Sequence, residues 1–245
     1  IKRVLKKYNP SIIHAHDFTA SVICSLVKEK KYLIEHLHNN CPWLKKINFY
    51  TLAFLYAGIR ADKILTVSDS IEKEYIFSKF IKNKIECIGN PISREKALSN
   101  VNDLNCKKIY DVCCVARLTE QKNPFKFLEV LFEIKKKIKN IKAVWVGDGE
   151  LKTDVLKKAT ELNLLTNIDF VGFQKNPYKY IAKSKIFMLT SDWEGFGLVL
   201  AEYMIAKVPL IATNIDSIPE LITQEVNGLL VDVNDIEGTI TASVR

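Results

Sequence analysis

No apolar stretch of this 245-residue sequence approaches the roughly 20 residues that a membrane-spanning helix needs. No basic start runs into an apolar segment with a small-residue cleavage site, so neither membrane insertion nor export is expected. Glycine and proline are sparse, at 9 and 7 residues, and no low-complexity tract or internal repeat is present. Collagenous, disordered and solenoid architectures are thereby excluded. The six cysteines lack any CxxC spacing, which leaves neither a zinc ribbon nor a disulfide framework legible. Cys113 and Cys114 are adjacent within an apolar run, where successive side chains point to opposite faces of a strand. Buried, reduced thiols in a cytoplasmic protein are the expectation.

What is present is the balance of a globular protein, 48% hydrophobic and 26% charged. A chain this long can form two domains of roughly 100–150 residues, each able to bury a core. The net charge of +8 is unevenly placed: residues 1–95 hold 16 basic and 9 acidic side chains, and the remainder hold 20 and 19. A basic first half suits an anionic partner such as a membrane surface, a phosphate-bearing acceptor or nucleic acid, and equally a solvated lysine-rich surface. A nucleic-acid module would show aromatic residues interleaved with a basic face or a binding motif. Neither is found, so no nucleic-acid partner is expected.

Short β-rich runs alternate with helix-length amphipathic segments. Strands are predicted at 12–16, 32–37, 63–67 and 85–88, with helices near 19–29, 46–60 and 69–80. Gly89-Asn90-Pro91 and the polar residues after it predict a linker over 96–106 between a domain at 1–95 and another at 107–245. In the second domain, strands are predicted at 110–116, 141–146, 168–171, 186–189, 209–212 and 228–231. A helix at 124–138 places Phe127, Leu128, Leu131, Ile134 and Ile138 on one face. It ends in lysines that complement its dipole, so this basic run needs no nucleic acid to explain it. Near-continuous apolar strands joined by helices predict an α/β fold, with parallel sheets covered on both faces. Two Rossmann-like, doubly wound domains would then face a cleft where the strand C-termini converge. Ile1 falls inside an amphipathic stretch, and Arg245 falls where a new helix begins after Asp235. The expectation is a piece of a longer chain, with an incomplete first domain and no final helix.

The densest chemical signal is Ser191-Asp192-Trp193-Glu194-Gly195-Phe196-Gly197-Leu198-Val199-Leu200-Ala201-Glu202. A strand, a two-glycine turn and a helix starting near Gly197 leave first-turn amides free to bind an anion. On the residues alone, Glu194 serves equally as a helix cap and Glu202 as a solvent-facing side chain. This run resembles retaining glycosyltransferase family four, the glycosyl transferases group 1, whose hallmark is two glutamates separated by seven residues in such a turn and helix. Val115-Ala116-Arg117-Leu118-Thr119-Glu120-Gln121-Lys122-Asn123-Pro124 resembles that family's strand-to-helix signature. Val146-Gly147-Asp148-Gly149-Glu150, Phe170-Val171-Gly172-Phe173 and Ile218-Pro219-Glu220 follow in the family's order, so the resemblance covers nearly all of 107–235.

The resemblance implies the GT-B fold, with donor binding by the second domain and acceptor binding mainly by the first. Carried over by position, Arg117 and Lys122 neutralise the diphosphate of a UDP- or GDP-linked sugar as it leaves. Glu194 faces the donor sugar and Glu202 binds the nucleotide ribose. Gly149, Phe173, Ser191, Phe196, Gly197 and Leu198 complete the donor site. His38, in Glu35-His36-Leu37-His38-Asn39-Asn40, matches the family's cleft histidine. The implied activity is transfer of a sugar, with retention of configuration, to a glycan or lipid-linked acceptor in bacterial cell-surface polysaccharide synthesis, such as a capsule. The implied location is the cytoplasm, in peripheral contact with the inner membrane surface.

No cofactor and no metal are expected. The sequence has no Asp-x-Asp of the sort that holds a divalent ion on the diphosphate in the other large glycosyltransferase fold. The strand pairs His14/His16 and His36/His38 each present two imidazoles on one face, but no cysteine or carboxylate beside them completes a ligand set. The Asn-Gly usual in the family at the domain crossover is replaced here by Gly89-Asn90-Pro91. A rival reading, a nicotinamide-dependent oxidoreductase, needs G-x-G-x-x-G; after Gly147-Asp148-Gly149 the third position holds Lys152.

Overall fold

The computed structural model describes residues 1–95 and 107–244. The predicted linker at 96–106 and Cys106 lie outside the described residues. The chain divides into two compact units, one formed by Ile1–Asn90 together with Trp193–Phe196 and the other by the remainder.

The first unit is built on a four-stranded parallel sheet in the order β1 (Ile12–His16), β2 (Tyr32–Leu37), β3 (Lys63–Thr66), β4 (Ile85–Cys87). Helices α1 (Lys2–Tyr8), α2 (Asp17–Val27), α3 (Phe49–Arg60) and α4 (Asp69–Glu74) intervene. Alternation along β1 and β2 sends Ile13, Ala15, Leu33 and Leu37 into a core with Phe54, Ala57 and Ile64. Asn48 caps α3 by a reciprocal pair of bonds: its side chain accepts from the Thr51 amide at 3.0 Å, and its own amide donates to the Thr51 hydroxyl at 2.9 Å. That cap moves the start of the expected 46–60 helix to Phe49. The helix expected over 69–80 is also shorter and gives way to 3₁₀ turns at Ser78–Phe80 and Lys82–Lys84. The cause is Tyr75, which leaves α4 with ψ 114°. Its ring is buried against Phe54 and its hydroxyl donates to the Thr51 carbonyl at 2.9 Å. Tertiary packing of one aromatic overrides local helix propensity.

The second unit holds a six-stranded, all-parallel sheet made of β5 (Tyr110–Val115), β6 (Ala143–Val146), β7 (Ile168–Phe170), β8 (Ser184–Leu189), β9 (Leu210–Thr213) and β10 (Leu229–Val231). The order is β10-β9-β8-β5-β6-β7, which is the doubly wound Rossmann order. The winding reverses between β5 and β8, and open α/β sheets bind ligands beyond the strand C-termini at that reversal. The sheet has a core on each face, and Cys113 joins one while Cys114 joins the other, as alternation requires. On the Cys114 side, α5 (Pro124–Lys137) starts with Pro124 at its first position. The Asn123 side chain, accepting from the Lys126 amide at 3.1 Å, caps it. Its Phe127 meets Trp145 edge-on at 5.2 Å between centroids. The remaining helices are α6 (Lys152–Glu161), α7 (Tyr178–Ala182), α8 (Leu198–Ile205), α9 (Ile218–Leu221) and α10 (Ile236–Val244). The five described cysteines are free thiols.

Candidate functional site

Arg117 and Lys122 lie in the loop after β5, and Ser191 lies in the loop after β8, so they flank the point where the second sheet reverses its winding. Several bonds tie these two loops together. The Asp192 amide donates to the Gln121 carbonyl at 2.9 Å, and the Thr190 hydroxyl donates to the carbonyls of Lys122 and Asn123 at 3.2 and 3.1 Å. The Asn123 amide group donates to both Asp192 carboxylate oxygens at 3.0 and 3.1 Å. Asn123 therefore caps α5 with one end of its side chain and holds the β8 loop with the other. This double use anchors the backbone at Lys122 and Asn123. Arg117 is exposed and Lys122 half-buried.

The loop after β6 closes the same end of the sheet. The Leu118 amide donates to the Asp148 carbonyl at 3.1 Å, and a Cβ on Gly149 would overlap the Leu118 backbone. Gly149 is therefore a close-approach glycine. Beyond β7, Phe173 is 79% exposed. Ser191 is fully buried, and its carbonyl accepts from the Thr213 hydroxyl at 2.7 Å.

Gly197, with φ of 77°, is the N-cap of α8 and supplies no side-chain bond, so the helix begins without the usual polar cap. Such a start suits an external anion, toward which first-turn amides and the helix dipole both point. Leu198, the first helical residue, is half-exposed. Glu202 lies one turn further along α8, where its carboxylate accepts from the Tyr178 hydroxyl at 3.0 Å. Burial and the adjacent carboxylate push that phenol up to about 12, so it stays a proton donor. The turn that carries Glu194 and Phe196 groups with the first unit. Glu194 is buried there, and Phe196 packs against the first core.

In the first unit, His38 follows β2, its amide donating to the Asp17 carboxylate at 2.9 Å. The parallel register sets His16 opposite His36. The chain's four histidines thus gather on one sheet face, with the His16 and His38 ring nitrogens 2.8 Å apart. Burial and the neighbouring imidazoles bring the His36 ring down to about 4, and burial lowers His14 as well. Reading the two histidine pairs separately missed this meeting, because it depends on which strands are neighbours. Tyr178 and Asn123 were also missed as partners of Glu202 and Asp192, since neither lies near its partner in sequence.

A family model described as "Glycosyl transferases group 1" matches residues 99–242, and one described as "Glycosyltransferase Family 4" matches 1–96. An Escherichia coli UDP-Gal:alpha-D-GlcNAc-diphosphoundecaprenol alpha-1,3-galactosyltransferase is 28% identical, over 99% of this chain and 68% of its own length. A Campylobacter jejuni N-acetylgalactosamine-N,N'-diacetylbacillosaminyl-diphospho-undecaprenol 4-alpha-N-acetylgalactosaminyltransferase is 31% identical, over 82% of this chain and 54% of its own. The crystal structure of Anabaena Alr3699/HepE in complex with UDP-glucose superposes with a TM-score of 0.84 at 20% identity, over 99% of this chain and 70% of that one. The fold is GT-B, as the sequence resemblance implied. The chain spans about half to two thirds of the length of several curated relatives it matches. With more than half of its residues inside one family model, the chain belongs to the glycosyl transferases group 1 family.

Proposed function

We propose that the protein transfers a sugar from a UDP- or GDP-linked donor to a glycan or lipid-linked acceptor in the synthesis of a bacterial surface polysaccharide, with retention of anomeric configuration and without a metal ion. One observation carries this reading: the Arg117–Lys122 loop, Ser191 and α8, all in the second unit, follow the two strands between which a Rossmann-ordered sheet reverses its winding. Both curated relatives described above are named for diphosphoundecaprenol-linked acceptors, which supports the acceptor class.

Arg117 and Lys122 then hold the donor diphosphate, on which negative charge grows as the bond to the sugar breaks. Fixed cations aimed at developing charge lower the barrier without reorganising. The open α8 amides share that task. Glu202, held by Tyr178, accepts from the ribose hydroxyls, Glu194 faces the donor sugar, and His38 acts where sugar and acceptor meet. Gly149, Phe173, Ser191, Phe196, Gly197 and Leu198 shape the donor pocket. The basic first unit suits a phosphate-bearing acceptor at the cytoplasmic face of a membrane. No helix among the described residues is long and apolar enough to cross one.

The test is a panel of UDP- and GDP-sugars given to the full-length protein with a diphospholipid-linked acceptor, the product's anomeric configuration being read by NMR. One donor is expected to be consumed with retention. An inverted product, or no turnover with any donor, would overturn the proposal.

A further inference from the structure

All four histidines of the chain lie on β1 and at the end of β2, and parallel pairing brings them together on one face of the sheet. Ring centroids are 4.3 Å apart for His14 and His16, 5.5 Å for His14 and His36, and 4.1 Å for His36 and His38. One ring nitrogen each from His14, His16 and His36 falls within 4.8 Å of the other two. Three imidazoles on a tetrahedral ion at 2.0–2.1 Å sit roughly 3.4 Å apart, so modest side-chain rotation closes the set. Independently, both ring nitrogens of His36 are shielded from solvent with no hydrogen-bond partner. Buried polar atoms are nearly always satisfied, and one that is not calls for an explanation.

We propose that His14, His16 and His36 of the first unit form a binding site for a zinc-class divalent transition-metal ion. One of the two unpartnered His36 ring nitrogens becomes a ligand. Nδ1 of His16 is already engaged by Nε2 of His38 at 2.8 Å, leaving Nε2 of His16 for the ion. His38 thereby orients a ligand ring, as partners of metal-bound histidines do. Neutral imidazoles without a carboxylate select borderline ions such as zinc, cobalt, nickel or copper. Magnesium and manganese prefer oxygen donors. The site gives His14, His16 and His36 a role that sugar transfer does not require of them.

The experiment uses full-length protein stripped with EDTA and dialysed free of chelator. Zinc is titrated calorimetrically, and cobalt is followed by its visible absorption. The expectation is one equivalent bound with a tetrahedral cobalt spectrum of three nitrogens and one water oxygen, a thermal midpoint raised by zinc, and no response to magnesium. Binding should fall by about 10-fold or more in His14→Ala and in His36→Ala. A second measurement, which does not depend on the folding of His36→Ala, uses the unsubstituted protein, in which zinc should protect His14, His16 and His36 from diethyl pyrocarbonate. No zinc binding, a sulfur-to-cobalt charge-transfer band pointing to the cysteines, or unchanged histidine modification would each overturn the site. These readouts are independent of sugar transfer, so failure of either proposal leaves the other standing.

Discussion

Arg117 is one of five arginines among 36 basic residues, and it stands in a loop that is bonded to the β8 segment at Lys122 and Asn123. A charge-assisted contact to a developing anion in a site closed from water contributes about 3–4 kcal/mol, so Arg117→Ala should lower turnover by about two to three orders of magnitude. Near-normal turnover would remove Arg117 from the site. The two glutamates should separate. Glu202→Gln keeps shape and the Tyr178 contact but weakens an acceptor of ribose hydroxyls, at a cost of about 1–3 kcal/mol in nucleotide affinity measured by calorimetry. Glu194→Gln should lower turnover and leave that affinity nearly intact, and identical effects would refute the assigned roles. Glu35 belongs to stability instead. It is fully buried, neither carboxyl oxygen has a hydrogen-bond partner, and burial outweighs Lys84 and Lys28 to push it up to about 8. The folded state then keeps a proton that the unfolded chain loses near 4.5. Stability is full below that pH and drops by roughly 1.4 kcal/mol per unit as pH rises toward 8. Denaturant melts between pH 5 and 8.5 should show this slope, and Glu35→Gln should flatten it. Equal slopes in both proteins would contradict the protonated state.

Among the elements, the start of α8 and the β6 loop depend on glycine for different reasons. Gly197 occupies the left-handed region at φ 77°, which costs a non-glycine residue roughly 1–2 kcal/mol. Gly149 instead leaves no room, since its Cβ would enter the Leu118 backbone. Gly197→Ala should thus fold with a modest loss of stability. Gly149→Ala should displace the loop that carries Arg117 and weaken nucleotide binding beyond any loss of thermal stability. Melting and calorimetry on both variants check this, and equal nucleotide affinities would refute it. Gly197 was legible from sequence as a turn residue, whereas Gly149 was marked only through the family resemblance. The shortening of α4 was not legible. Residues 75–80 carry helix-compatible apolar spacing, and only the burial of Tyr75 against Phe54 and the Thr51 carbonyl shows why the chain leaves the helix.

For the whole molecule, the charge neutralisation proposed for the leaving diphosphate is entirely protein-borne. Transfer should therefore survive EDTA, assayed after exhaustive chelation. Loss restored by magnesium or manganese would refute that arrangement. Strand positions, their parallel sense and the doubly wound class were written in local pattern: continuous apolar runs such as Ile186–Leu189, helix faces such as Phe127 to Ile134, and cap residues beside them. The strand-to-helix turns that carry Arg117, Lys122 and Glu194, and the helix that carries Glu202, were legible in local pattern, whereas the roles proposed for these residues came from the family resemblance. Periodicity acts over a few residues, so it determines what each segment is and which side it buries. It does not determine which segments are neighbours. The reversal between β5 and β8, the Tyr178–Glu202 bond, the Asn123–Asp192 bond and the meeting of the His14/His16 pair with the His36/His38 pair all join residues 20 or more positions apart. Each exists only because hydrogen-bonded strand order and core packing select one arrangement from many that satisfy the same local pattern.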